Sequence, residues 1–207
     1  MQEKTVIPHL SFNKKAVIAT IVTTTLIMID HYIKISPIKE LDRVVLYLFV
    51  PLGVIYLIFH ESPQDYGFQF GDWRMGLIIT GSVVLILAPI LWLVVRYSPG
   101  MQAYYNTGFN AQMPLLNLID LVGWEFVFRG FLLFAYLQAF GDNALWLQAV
   151  PFALAHLGKP PLETFTTLFG GFLFGLVARQ TRSFIYPFLI HFFVATLVSF
   201  FATLQPI

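Results

Sequence analysis

Apolar runs long enough to cross a bilayer, about 20 residues at 1.5 Å rise each, alternate along this chain with short polar breaks. About seven can be traced, over residues 16–35, 44–59, 75–95, 114–140, 144–157, 164–178 and 184–204. The pattern predicts an all-α fold, a polytopic membrane bundle of about seven transmembrane helices, forming one integral membrane domain over residues 1–207 with no soluble domain. Residues 60–74 mix aromatics with acids, turn formers and Pro63, a composition suited to the headgroup level. Residues 97–113 are polar and turn-rich, and either cover a site or simply connect two helices at the interface. Gly158-Lys159-Pro160-Pro161 is a strong stop for the fifth run. Gly171 and Gly175 form a GxxxG step in the sixth, which predicts close helix approach within the bundle.

The first run follows Lys14-Lys15 and is interrupted by Asp30 and His31. Its basic flank is that of a signal peptide, but no small-residue cleavage site follows, so it reads as an uncleaved spanning or partly interfacial helix. Lysines and arginines divide almost evenly between alternate loops and give only a weak vote for a cytoplasmic N-terminus.

Composition fixes the environment. The chain is 57% hydrophobic and 11% charged with mean hydropathy +0.74, whereas a soluble domain carries about a quarter charged residues. The lipid bilayer is therefore the first partner. A net charge of +1 without a basic stripe gives no nucleic-acid footprint. With no cysteine, disulfides, thiolate metal sites and cysteine nucleophiles drop out together.

Against this background the ionisable residues at membrane depth stand out: Asp120, Glu125, Arg129, His156 and His191. Such groups are costly in a spanning helix and mostly face protein or a wet cavity. Glu125 precedes Arg129 by four residues, the favourable order for an ion pair on one helical face. Taken alone, the pair reads as structural, and a lone His156 as a histidine bonded to a neighbouring carbonyl. Glu125, His156 and His191 supplied by three helices make a different case, because a carboxylate and two imidazoles suffice to activate water and stabilise an oxyanion. They also suffice for zinc with water in a fourth place. With no HExxH and no close pair of histidines, metal-free chemistry is favoured, with no cofactor. A Glu, an Arg and two His also suit a proton or anion site in a transporter.

The motifs Glu125-x-x-x-Arg129, continuing Phe128-Arg129-Gly130, then Phe152-x-x-x-His156, then His191 resemble those of the CPBP intramembrane endopeptidases, the CAAX protease and bacteriocin-processing (Abi) family. The likeness covers a core of about residues 115–195. It implies hydrolysis of a peptide bond in a membrane-associated or lipidated protein or peptide, with Glu125 and His156 activating water, His191 stabilising the charged intermediate and Arg129 positioning Glu125. It also implies a multi-pass protein of a prokaryotic inner membrane. The family pattern is Glu-Glu-x-x-x-Arg, Phe-x-x-x-His and His-x-x-x-Asn, and this chain departs from it twice. Trp124 stands where the first Glu belongs and Ala195 where the Asn belongs. A one-residue step turns a helix by about 100°, so Glu125 replaces the missing base only if the helix rotates or the side chain reaches round. Otherwise Trp124 faces the pocket. Asp120 is a candidate surrogate acid, and Thr196 or Ser199 a candidate surrogate donor. The alternative reading is a catalytically degenerate homologue that binds or escorts a membrane partner.

Overall fold

A computed structural model describes residues 11–106, 110 and 112–205. These residues contain helices and no strand. The helices are α1 (Lys14–Tyr32), α2 (Lys39–Phe59), α3 (Trp73–Tyr97), the short α4 (Pro99–Tyr105), α5 (residues 112–140), α6 (Ala144–Leu154), α7 (Pro161–Thr181) and α8 (Ile185–Thr203). Apart from α4, each falls on one of the seven apolar runs.

Four of them, α2, α3, α7 and α8, are long and apolar enough to cross a membrane, which makes this a multi-pass membrane protein. The count of about seven is not reached on that measure. Asp120, Glu125 and Arg129 interrupt α5, while α6 has only 11 residues and spans about 16 Å at 1.5 Å per residue. The fifth run thus ends as helix at Leu154, and His156 lies in the turn that follows.

α5 is the axis of the bundle, packed by α1, α2, α6, α7 and α8. Every residue from Gly123 to Leu133 is buried, as expected of a helix that is apolar nearly all round. α3 lies at the other extreme, packed chiefly on α8 and presenting Ile78, Leu85 and Ile86 outward, where lipid satisfies them.

Small residues set the close crossings. A Cβ at Gly171 would lie 3.0 Å from that of Ala149, and one at Gly175 2.7 Å from Nε2 of Gln148. The Gln148 amide uses this proximity and donates to the Gly171 carbonyl at 2.8 Å. The GxxxG step thus joins α6 to α7. Gly123 brings α5 onto α2, since a Cβ there would meet the Arg43 carbonyl at 2.7 Å.

Polar ties lock the remaining elements. Arg43 on α2 reaches Asp30 on α1 at 3.1 Å and Asp120 on α5 at 2.8 Å. Lys15 pairs with Glu61, which also accepts a 2.6 Å bond from the Tyr66 hydroxyl. Burial pushes the Glu61 carboxyl up, but the bonds from Lys15 and Tyr66 outweigh it and hold the group below the ordinary carboxylate value. In the polar connection, Tyr105 at the end of α4 donates to Glu163 on α7 at 2.6 Å, and Lys159 pairs with the same carboxylate at 2.8 Å. Residues 107–109 and 111, where the covering role of this connection would also fall, lie outside the described residues.

Gly123→Ala is expected to destabilise the protein by about 1–3 kcal/mol, because the obstacle is backbone and not a mobile side chain. Gly170→Ala is the control: a Cβ there meets nothing within 4 Å, so its melting temperature in detergent should stay at the wild-type value while that of Gly123→Ala falls.

Candidate active site

Consecutive residues of α5 address two different neighbours, because each step along a helix turns about 100°. Glu125 reaches α8, where its Oε1 lies 2.6 Å from His191 Nδ1. Trp124 reaches the end of α6, where its ring meets that of His156 edge-to-face at 5.7 Å. The helix has therefore not rotated to bring Glu125 into Trp124's place. Trp124 remains against His156, and Glu125 forms a separate contact with His191. The two imidazoles lie 6.3 Å apart with planes inclined by 26°. Glu125, His156 and His191 thus meet in one cluster built from α5, α8 and the turn after α6.

The hydrogen bonds assign the ring protons. His156 Nδ1 stands 2.8 Å from the Phe152 carbonyl, which can only accept, so Nδ1 carries the hydrogen. His191 Nδ1 likewise donates to the Glu125 carboxylate. Each neutral ring is left with Nε2 as a free acceptor. The cluster is closed: Glu125 is fully buried, His156 is 4% exposed, and the His191 side chain is the most open at 12%. Two surface cavities, one beside Trp92 and Arg96 and the other beside Asp65 and Arg182, lie away from it.

Arg129 forms the expected i,i+4 ion pair with Glu125. Its Nε is 3.3 Å from Glu125 Oε2, but neither atom makes a hydrogen bond. Residues Phe126–Leu132, which follow Glu125 directly, form a π-helical stretch. The guanidinium stacks on aromatic rings, 3.7 Å from the Phe152 centroid and 5.3 Å from that of Phe174. Both rings also contact His191, at 6.0 and 5.6 Å. Phe152, one turn before His156, is thus a packing residue that also carries the charge of Arg129.

The surrogates suggested by the sequence are otherwise engaged. Asp120 is held by Arg43. Ser199 donates to the Ala195 carbonyl at 3.0 Å, and Thr196 accepts from Asn117 at 3.2 Å. Sequence reasoning missed Arg43, whose guanidinium lies 4.9 Å over the Trp124 ring. The available signal was Asp30, an acid inside an apolar run that calls for a cation nearby. Among the described residues, no three His, Cys, Asp or Glu side chains are grouped so as to hold a metal ion.

Residues 106–197 match the family model described as Rce1-like, type II CAAX prenyl endopeptidase. This segment is similar to the CAAX proteases. Somewhat less than half of the chain is covered, and the Rce1-like segment contains Glu125, Arg129, Phe152, His156 and His191 together. No curated protein and no solved structure matches the chain. The match bears out the resemblance carried by the three motifs.

Removing one member of a buried ion pair leaves the other charge uncompensated, at a cost of about 3–5 kcal/mol. Arg129→Ala is expected to lower stability by that amount. The double variant Glu125→Gln/Arg129→Met, which removes both charges, should recover part of the loss when unfolding is followed in detergent.

Proposed function

We propose that this protein is an intramembrane endopeptidase that hydrolyses a peptide bond in a membrane-associated or lipidated protein or peptide. The observation that carries the reading is the 2.6 Å contact between Glu125 and His191 with a second imidazole 6.3 Å away, inside a segment that matches a protease family. A carboxylate bonded to the Nδ1 side of an imidazole orients the ring and fixes the tautomer that leaves Nε2 to take a proton. This geometry suits His191 as the proton acceptor and Glu125 as its support, a division of labour different from the one the motifs alone suggest. His156, with its own Nε2 free, accepts a second hydrogen bond from the attacking water and aims its lone pair.

In the proposed reaction the water oxygen bonds to the carbonyl carbon, one proton passes to His191 Nε2, and the carbonyl π pair moves onto oxygen. As the oxyanion collapses, the C–N bond breaks and the leaving nitrogen takes the proton from His191. Arg129, paired with Glu125 at 3.3 Å and backed by its aromatic supports, supplies the counter-charge beside the carboxylate. The scheme needs no metal. The bundle of about seven helices is proposed to lie in a prokaryotic inner membrane, with α6 as a half-length element.

The second reading is a degenerate homologue that binds or escorts a membrane protein. Trp124 and Ala195, at two positions where the family places polar groups, speak for it.

Purified protein in liposomes, given membrane-anchored peptides, separates the two readings. Cleavage is expected, and Glu125→Gln, His156→Ala and His191→Ala should each reduce it by about 10²–10⁴, the usual contribution of acid–base groups. All three proteins should still be extractable and folded, with Glu125→Gln the least stable because it leaves Arg129 without its counter-charge. Wild-type protein that binds peptides without cutting them would favour the escort reading. Chelators should leave cleavage unchanged, and inactivation that added zinc reverses would replace the metal-free scheme.

A further inference from the structure

The peptidase reading leaves one chemical role unfilled. Both imidazoles spend their Nδ1 hydrogens, on the Phe152 carbonyl and on Glu125, and as neutral rings before attack they offer the site acceptors only. The charge that develops on a carbonyl oxygen during attack needs a donor already in place. The family pattern places an Asn at position 195, but here it is Ala195; the Ser199 hydroxyl donates to the Ala195 carbonyl, and the Thr196 hydroxyl is tied to Asn117, from which it accepts.

One residue beside His156 has a donor to spare. Trp124 is 6% exposed, and its indole Nε1 is buried with no hydrogen-bond partner. An unmet buried donor costs about 1–3 kcal/mol and calls for an explanation. The ring itself is firmly held, in edge-to-face contact with Tyr47, Phe128 and His156 at 5.4, 5.4 and 5.7 Å. Arg43 lies over its face at 4.9 Å, fixed there by two carboxylates, Asp30 and Asp120. A cation over an indole draws electron density out of the ring, which makes the N–H a stronger donor. Arg129 also has unmet donors, but its guanidinium stacks on Phe152 and Phe174, whereas Trp124 touches His156 directly.

Resting on the peptidase reading, we infer that the Trp124 indole N–H is the donor that holds the scissile carbonyl oxygen of the substrate and the oxyanion formed from it. The substitution that breaks the family motif on paper supplies, in this chain, the group whose loss at position 195 would otherwise disable it. The Asp30–Arg43–Asp120 cluster then serves as a positioning device that keeps a cation on the indole.

Two measurements test this. In the cleavage assay, Trp124→Phe keeps an aromatic ring and loses the N–H, and its kcat should fall about 10²–10³-fold, the loss typical of one oxyanion donor, with KM little changed. The second uses wild-type protein with ¹⁵N-labelled indoles, the Trp124 signal being the one absent from Trp124→Phe. Adding the aldehyde analogue of the peptide cleaved fastest should move the Trp124 indole proton downfield, as hydrogen bonding does, and Trp124→Phe should bind that aldehyde about tenfold more weakly. An active wild type whose Trp124 signal stays in place when the aldehyde binds, or a Trp124→Phe variant with wild-type kcat, overturns the donor role and leaves the peptidase reading standing. A wild type that neither cleaves the peptides nor binds their aldehydes overturns both.

Discussion

The burial of a charge that the chain itself must neutralise organises this protein. Arg129 has no exposed surface and lies in the most enclosed part of α5. A guanidinium in such a place is tolerated only with partners, and its partners come from two other helices as well as its own, with a third helix reached through Glu125. Glu125 offers the counter-charge, Phe152 of α6 and Phe174 of α7 offer ring faces, and His191 of α8 binds the other carboxylate oxygen. Holding this one cation therefore fixes the mutual placement of α5, α6, α7 and α8. The residues credited with chemistry are the same ones that hold the bundle's centre together, so site and fold have one energetic origin.

A second charge cluster does the same work on the other flank of α5. Arg43 joins α1, α2 and α5 through two carboxylates, and Gly123 lets the backbones of α2 and α5 come close enough for it. The two clusters meet at Trp124 and Glu125, adjacent residues that face opposite partners.

Much of this was legible in the sequence for direct reasons. Apolar runs report helices, so each run coincides with a rod. Gly171 and Gly175 report close approach, and the α6–α7 crossing is built on them. Glu125, His156 and His191 were singled out because charge at membrane depth is costly, and the structure gathers them. What escaped depends on tertiary packing. The π-helical stretch at Phe126–Leu132 has no propensity signature. The engagement of Asp120 by Arg43 depends on a contact 77 residues apart in the chain. The choice between Trp124 and Glu125 as the residue facing the site was posed as an alternative, and it dissolves because a helix buried all round has more than one inner face.

The brevity of α6 has a consequence for the surrounding lipid. A helix of 11 residues cannot match a hydrocarbon layer about 30 Å thick, and non-helical backbone over residues 155–160 follows it. Carbonyls there are met locally, as where the Thr164 hydroxyl donates to His156. In a bilayer, such a mismatch draws headgroups inward and thins the membrane on that flank. The shortfall in helix length would then become a dimple in the lipid surface on the flank where His156 follows α6.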